Sequence, residues 1–263
     1  MSKHSAVRAS VAQLVFKQVR EYCERNANPA LVEKYKRFFT EGYDAYGLTD
    51  KLPDWKSTRE QLAETLSQAG PEALFDCGDL LMETGKYEEA SFAILFVRQC
   101  PEFDSLESFA RIAAWFHAPQ DGLYATGIRN WAHADILCGE VLSRYLRAGK
   151  IKIEDLVPWR DAPSKFQRRA VPVTFCSPMN SNLTRLDTGK SYAPIFRLIA
   201  PLMADAERPV QQGVGWLLRE AWKRDPEQTE PFLLKYKDSA PRLIYQYATE
   251  KMDKKLKQRF RKA

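Results

Sequence analysis

Helix-length blocks, in which apolar residues recur every three or four positions, follow one another along this sequence, and glycine or proline closes most of them. That spacing puts apolar side chains on one face of a helix and leaves no room for an extended sheet. Val11, Leu14, Val15, Val19 and Tyr22 space a first helix, which fades at Asn26-Ala27-Asn28-Pro29. A second is expected over 30–41, stopping near Gly42. After a loop with Gly47, Asp50 and Pro53 comes a helix over 54–68. Gly70-Pro71 ends it, with Pro71 well placed for the first turn of the next. Helices over 73–83 and 87–99 pair across Thr84-Gly85-Lys86; Pro101 breaks the second, and 106–116 makes another.

Beyond a turn at Pro119-Gln120-Asp121-Gly122, one helix is expected over 130–148. A loop with Pro158 and Pro163 leads to 165–175, kinked at Pro172. Residues 177–190 are polar, turn-rich and without periodicity, so they read as a loop. Helices over 192–203, 208–223, 227–236 and 240–250 and a basic terminal helix complete the chain. No segment alternates long enough for a strand. The fold class is all-α, a superhelical stack of antiparallel helix pairs of HEAT-like type. Residues 78–90, Gly78-Asp79 through Glu89-Ala90, look like one tetratricopeptide unit, which would suit a peptide-binding scaffold. The unit occurs once, whereas solenoids need several.

At 263 residues the chain can bury one large core or two ordinary ones. Its 44% hydrophobic and 28% charged content is a globular balance, and no apolar run approaches the ~20 residues of a membrane span. The first residues, Met1 to Arg8, contain no apolar leader, so the expected location is intracellular. Cys23, Cys77, Cys100, Cys138 and Cys176 are widely spaced, and His4, His117 and His133 lie far apart. Neither a zinc site nor a disulfide framework is expected, and the cysteines read as small core residues. The formal charge is +6, of which residues 250–263 carry +5: seven Lys/Arg against Glu250 and Asp253. A basic tail suits a polyanion or a solvated helix end.

Three stretches could carry chemistry. On a helix at about 100° per residue, Ala134, Leu137, Cys138, Val141 and Tyr145 form one stripe, with Trp131 and Asp135 sharing a face at its edge. Asp135 is either a half-sheltered carboxylate beside an indole or a solvated surface charge, since sheltered acids mark sites only statistically. Arg168 and Arg169 open the helix that begins at Lys165, where arginine opposes the helix dipole unless a phosphate binds there. Gly213 and Gly215 flank Val214 within a helix, each costing on the order of 1 kcal/mol against alanine. They leave a groove beside Trp216 or a close helix contact with Trp216 in the core.

Trp131-x-x-x-Asp135, the arginine pair and Val210-Gln-Gln-Gly-Val-Gly-Trp216-Leu-Leu-Arg-Glu together resemble the AlkD-like family of DNA alkylation-repair glycosylases. The likeness continues through Pro241–Ala248 and reaches back to Asn28-Pro29 and Tyr35–Gly47, in the right order. The resemblance implies a single HEAT-like domain over 1–263, with 251–263 as a basic tail and a concave basic face for duplex DNA. It implies excision of N3- and N7-alkylated purines by a monofunctional glycosylase in base excision repair. The family's catalytic carboxylate falls on Asp135, its sugar-facing tryptophans on Trp131 and Trp216, and its phosphate-binding arginine on Arg169, with Arg168 next. No metal, cofactor or membrane is implied, nothing requires an oligomer, and the location would be cytoplasmic, at the nucleoid when bound to DNA.

The residue types suit that chemistry. An alkylated purine is already cationic and leaves without a strong general acid, so the task is to stabilise an oxocarbenium-like sugar. A fixed carboxylate does this by charge, and indole faces add ~0.5–2 kcal/mol each. The chain departs from the family at Ala132, where an acid usually follows the first tryptophan, and His133 lies within the motif. His133 is about 160° round the helix from Trp131 and reads as a surface or packing residue. The alternative function is a non-catalytic nucleic-acid-binding helical-repeat protein.

Overall fold

A computed structural model of the chain describes residues 3–116, 127–176 and 191–261, with side chains from Arg8 onward. Every regular element among the described residues is helical, a helical-repeat architecture, and the expected turn at Pro119–Gly122 and loop at 177–190 lie outside the described residues. Among those residues no helix is long and apolar enough to cross a membrane. The chain divides into two compact units, Met1–His133 and Ala134–Ala263.

In the first unit, α1 (Lys3–Arg25) packs on α3 (Trp55–Ala69), α4 (Pro71–Glu83) and α5 (Tyr87–Gln99), and α6 (Leu106–Ala114) follows. The apolar stripe of α1 supplies Val15, Val19 and Tyr22 to a core that also holds Leu66, Leu81, Phe92 and Phe96. Gly78 makes room for the fully buried Trp115: a Cβ there would lie 2.7 Å from the indole, whose Nε1–H donates to Asp79 at 2.7 Å. The short α2 (Pro29–Lys36) is started by Asn28, whose side chain accepts from the N–H groups of Ala30 and Leu31, with Pro29 at the first position. It ends five residues before the expected 41. None of its residues is buried, so the tertiary contacts of Phe38 and Phe39 override the helical pattern there.

The divide between the units falls inside α7 (Trp131–Ile136). The expected single helix over 130–148 is instead α7, a π-helical turn at Leu137–Leu142 and α8 (Ser143–Arg147). A π turn advances the register by one residue and so buries Leu137, Cys138, Val141 and Leu142 together. The predicted loop after 148 contains a short helix, α9 (Val157–Arg160), because Pro158 occupies a first-turn position where its missing N–H costs nothing. Pro172 falls in the last turn of α10 (Lys165–Val173), so the helix ends there rather than kinking onward.

After α11 (Ala193–Ile199), α12 (Arg208–Arg224) forms the centre of the second unit, packing on α10, on α13 (Pro226–Tyr236) and on α14 (Arg242–Ala248). Val210, Val214, Leu217 and Leu218 are its buried stripe. The contact with α14 is close: a Cβ on Gly215 would lie 2.5 Å from Tyr247 Cβ and 2.7 Å from the Ile244 carbonyl oxygen. The tail forms α15 (Lys254–Gln258), and the flanking Met252 and Phe260 are buried. All five cysteines are free and buried.

Candidate active site

Asp135 meets Arg169. In the second unit the guanidinium of Arg169 donates from Nε and Nη2 to the two carboxylate oxygens of Asp135, at 2.9 and 2.8 Å. Its Nη1 donates to the Pro209 carbonyl at 2.7 Å, at the start of α12. The side chains are 7% and 18% exposed, so this is a sheltered, two-pronged ion pair rather than a solvated contact. Burial pushes the Asp135 carboxyl above its usual range, and the hydrogen bonds and charge of Arg169 pull the other way. Gly213 lies against the pair: a Cβ there would stand 3.3 Å from Arg169 Cγ and 3.2 Å from Val173 Cγ2, side-chain carbons that can yield by a few tenths of an ångström. The π turn that follows α7 begins at Leu137, two residues after Asp135.

Arg168 turns elsewhere. Its Nε donates to Asp205 at 2.6 Å, and Nη1 donates to the carbonyls of Ala162 and Pro163, both at 2.9 Å. Both arginines of the pair therefore have protein acceptors, and among the described contacts it is Arg169 that meets another of the expected site residues. Trp216 is half-buried on α12, next to Gly215.

Trp131 is 44% exposed. In the first unit its indole Nε1–H donates to the Phe38 carbonyl at 3.1 Å, and its ring stacks on Phe39 at 5.9 Å and 12°. Phe39 stacks in turn on Tyr43 at 4.5 Å and 4°, and both rings meet Tyr87 edge-on. Phe38, Phe39, Tyr43 and Tyr87 lie tens of residues before Trp131, and no periodicity links them to it. The acceptors Asp205 and the Pro209 carbonyl were invisible for the same reason.

His133 is a packing residue, 1% exposed. Its Nε2–H is shared between the Tyr87 carbonyl at 3.0 Å and Ser91 Oγ at 2.9 Å, since a carbonyl can only accept. Nδ1 then accepts from the Asn130 amide at 2.9 Å, while Asn130 Oδ1 accepts from the His133 backbone N–H and so caps α7. Burial lowers its pKa to about 4 from 6.5, opposed by the Tyr87 carbonyl and aided by the charge of Arg129. A group whose folded pKa is depressed in this way binds fewer protons folded than unfolded between those values. Stability is therefore full above pH 6.5 and falls as the pH drops towards 4, by roughly 3 kcal/mol. Urea unfolding at pH 7 and pH 4 is expected to show that extra acid loss in the wild type and not in His133→Gln. Equal losses in both proteins would contradict it.

A family model described as DNA alkylation repair enzyme matches residues 19–252. No curated protein matches the chain. Among solved structures, one described as a "predicted DNA alkylation repair enzyme from Enterococcus faecalis" aligns with a TM-score of 0.62 at 18% identity, covering 87% of this chain and 98% of that one. At that identity the likeness speaks for the fold alone. The family match spans nearly the whole chain and includes Trp131, Asp135, Arg168, Arg169 and Trp216. On that match, the chain belongs to the family of DNA alkylation repair enzymes.

Proposed function

We propose that this protein is a monofunctional DNA glycosylase of base excision repair, hydrolysing the N-glycosidic bond of cationic N3- and N7-alkylpurines in duplex DNA. The observation that carries the reading is the sheltered Asp135–Arg169 pair in a chain of the alkylation-repair family. The two-pronged contact with Arg169 favours the charged carboxylate, against burial, which favours its acid form. That charge opposes the positive charge growing on the sugar as the C1′–N bond lengthens, and it orients the water that closes the reaction. Trp131 and Trp216 are assigned as aromatic faces towards the sugar. The C1′–N bond breaks with its electron pair on the base, which leaves neutral with its alkyl group; water supplies the new C1′–O bond and gives up its proton to solvent, and the chemistry calls for no cofactor. The chain is read as one functional domain, a monomer acting on cytoplasmic or nucleoid DNA.

The phosphate role that the family likeness gives to Arg169 is confined to the N–H groups left over from Asp135 and Pro209. Arg168, held by Asp205, is the weaker candidate. The test is release of 7-methylguanine and 3-methyladenine from methylated duplex DNA, followed by chromatography of the freed bases. Release with intact strands is expected. Duplex binding with no release would sink the glycosylase and leave the non-catalytic DNA-binding reading, and absence of duplex binding would remove both.

The basic tail is assigned to non-specific backbone contact. Deleting it would also strip out the buried Met252 and Phe260, so neutralisation is the cleaner probe. Lys254→Gln with Lys255→Gln is expected to weaken duplex binding and lower the salt slope by about 0.9 for each phosphate the variant no longer neutralises. An unchanged slope would end that role for these lysines.

A further inference from the structure

We infer that Glu88 is a positioning residue for Trp131, acting through the segment 38–48 that it clamps to the first turn of α5. The inference rests on the glycosylase reading only for the role it gives Trp131. The indole is 44% exposed, and its described polar and ring contacts belong to one stretch of chain: the Phe38 carbonyl and the Phe39 ring. From Gly42 to Asp54 that stretch has no regular helix of its own to fix it.

What fixes it is a pair of buried carboxylates. Glu88, 3% exposed, accepts from the backbone N–H of Tyr46 at 2.8 Å, of Gly47 at 2.7 Å and of Leu48 at 3.0 Å. Glu89, fully buried, accepts from the Tyr46 hydroxyl at 2.6 Å. The backbone closes the clamp, because Tyr87 N–H donates to the Asp44 carbonyl and Asn28 N–H to the Tyr46 carbonyl, both at 2.8 Å. Gly47 sits at φ +84° against the Asn28 carbonyl, where a Cβ would approach to 2.2 Å. The dipole of α5 favours acids at its start, yet burying two of them is costly where apolar side chains would pack well. Three N–H groups converging on one carboxylate instead admit a single loop conformation. That conformation sets Tyr43, Tyr43 sets Phe39 by stacking, and Phe39 faces Trp131.

Glu88→Gln tests this, because the amide places a donor against backbone donors while keeping shape and volume. In the full chain, acrylamide quenching of Trp131, measured as the difference from the same protein carrying Trp131→Phe, is expected to rise. Single-turnover excision is expected to fall about tenfold with duplex affinity unchanged. Phe39→Leu leaves the Glu88 hydrogen bonds in place and removes the ring that stacks on Trp131 and Tyr43 and meets Tyr87; it is expected to give the same two changes, and wild-type quenching in that variant would break the relay from the clamp to Trp131 even if Glu88→Gln does not fold. Wild-type quenching of Trp131 in a folded variant would overturn the proposal. So would a fall of rate and affinity together in proportion to the unfolded fraction, which is what a merely structural role gives. The quenching arm holds even if the wild type releases no base, so failure of the glycosylase reading and failure of this one are separable.

Discussion

Asp135→Asn is expected to lower alkylpurine release by about 10²- to 10³-fold while leaving duplex binding nearly intact, the range found when one electrostatic stabiliser of a transition state is removed. The amide has almost the shape of the carboxylate and still offers Arg169 one acceptor, so the change isolates the charge. Arg169 is only 5% exposed and cannot turn to water. Removing the partner of a buried ion costs on the order of 3–5 kcal/mol, and an amide left in place costs less than a full deletion. Rates should therefore be compared well below the unfolding transition of the variant. The pH profile adds a second signature. Burial raises the pKa of Asp135 against the pull of Arg169, so the acid limb of wild-type release should lie above the ordinary carboxylate value of 3.8. Below that limb the carboxyl is neutral and the wild type should behave like the variant. Wild-type rates in a folded Asp135→Asn protein would remove Asp135 from the mechanism.

Gly215→Ala should destabilise the fold by roughly 3 kcal/mol, at the upper end of what overpacking usually costs. The added methyl would meet backbone, the Ile244 carbonyl at 2.7 Å, and Tyr247 Cβ at 2.5 Å, neither of which can rotate away. Two packed helices would have to separate, and α12 packs on α10 as well as on α14. Gly213→Ala is the control two residues earlier. There the nearest atoms are side-chain carbons at 3.2 and 3.3 Å, which can yield by a few tenths of an ångström, and alanine gains about 1 kcal/mol of helix propensity. Its net effect should be small. Chemical denaturation of both variants measures the difference, and equal stabilities would mean that α12 and α14 do not approach as closely as described.

These two glycines show how far the sequence could be read. Two glycines in a helix announced either a groove or a close contact, and choosing needed the partner helices, α14 about thirty residues after Gly215 and α10 about forty before Gly213. The stripe Ala134, Leu137, Cys138, Val141 and Tyr145 was legible because it is local, and all five residues are buried. The π turn within it was not, although Leu137 and Leu142, five apart and both buried, are its trace. An apolar period of 3.6 blurs into one of 4.4 over so short a run. The family likeness marked Asp135 and Arg169 separately. Their ion pair, 34 residues apart in sequence, follows only once α10 is placed against the start of the second unit. The aromatic stack under Trp131 and the clamp of Glu88 are of the same kind, long-range contacts with no repeating signal.

The buried cysteines have a consequence for a protein that works amid alkylating chemistry. The thiolate is the nucleophile of cysteine, and methylating reagents attack it readily. Burial pushes the thiols of Cys23, Cys77, Cys138 and Cys176 well above their usual pKa, and Cys100 is also shielded from solvent. Held protonated and away from water, they present little of the reactive form. The folded chain thus keeps its softest nucleophiles out of reach of the reagents whose damage to DNA its family repairs, and unfolding would expose all five at once.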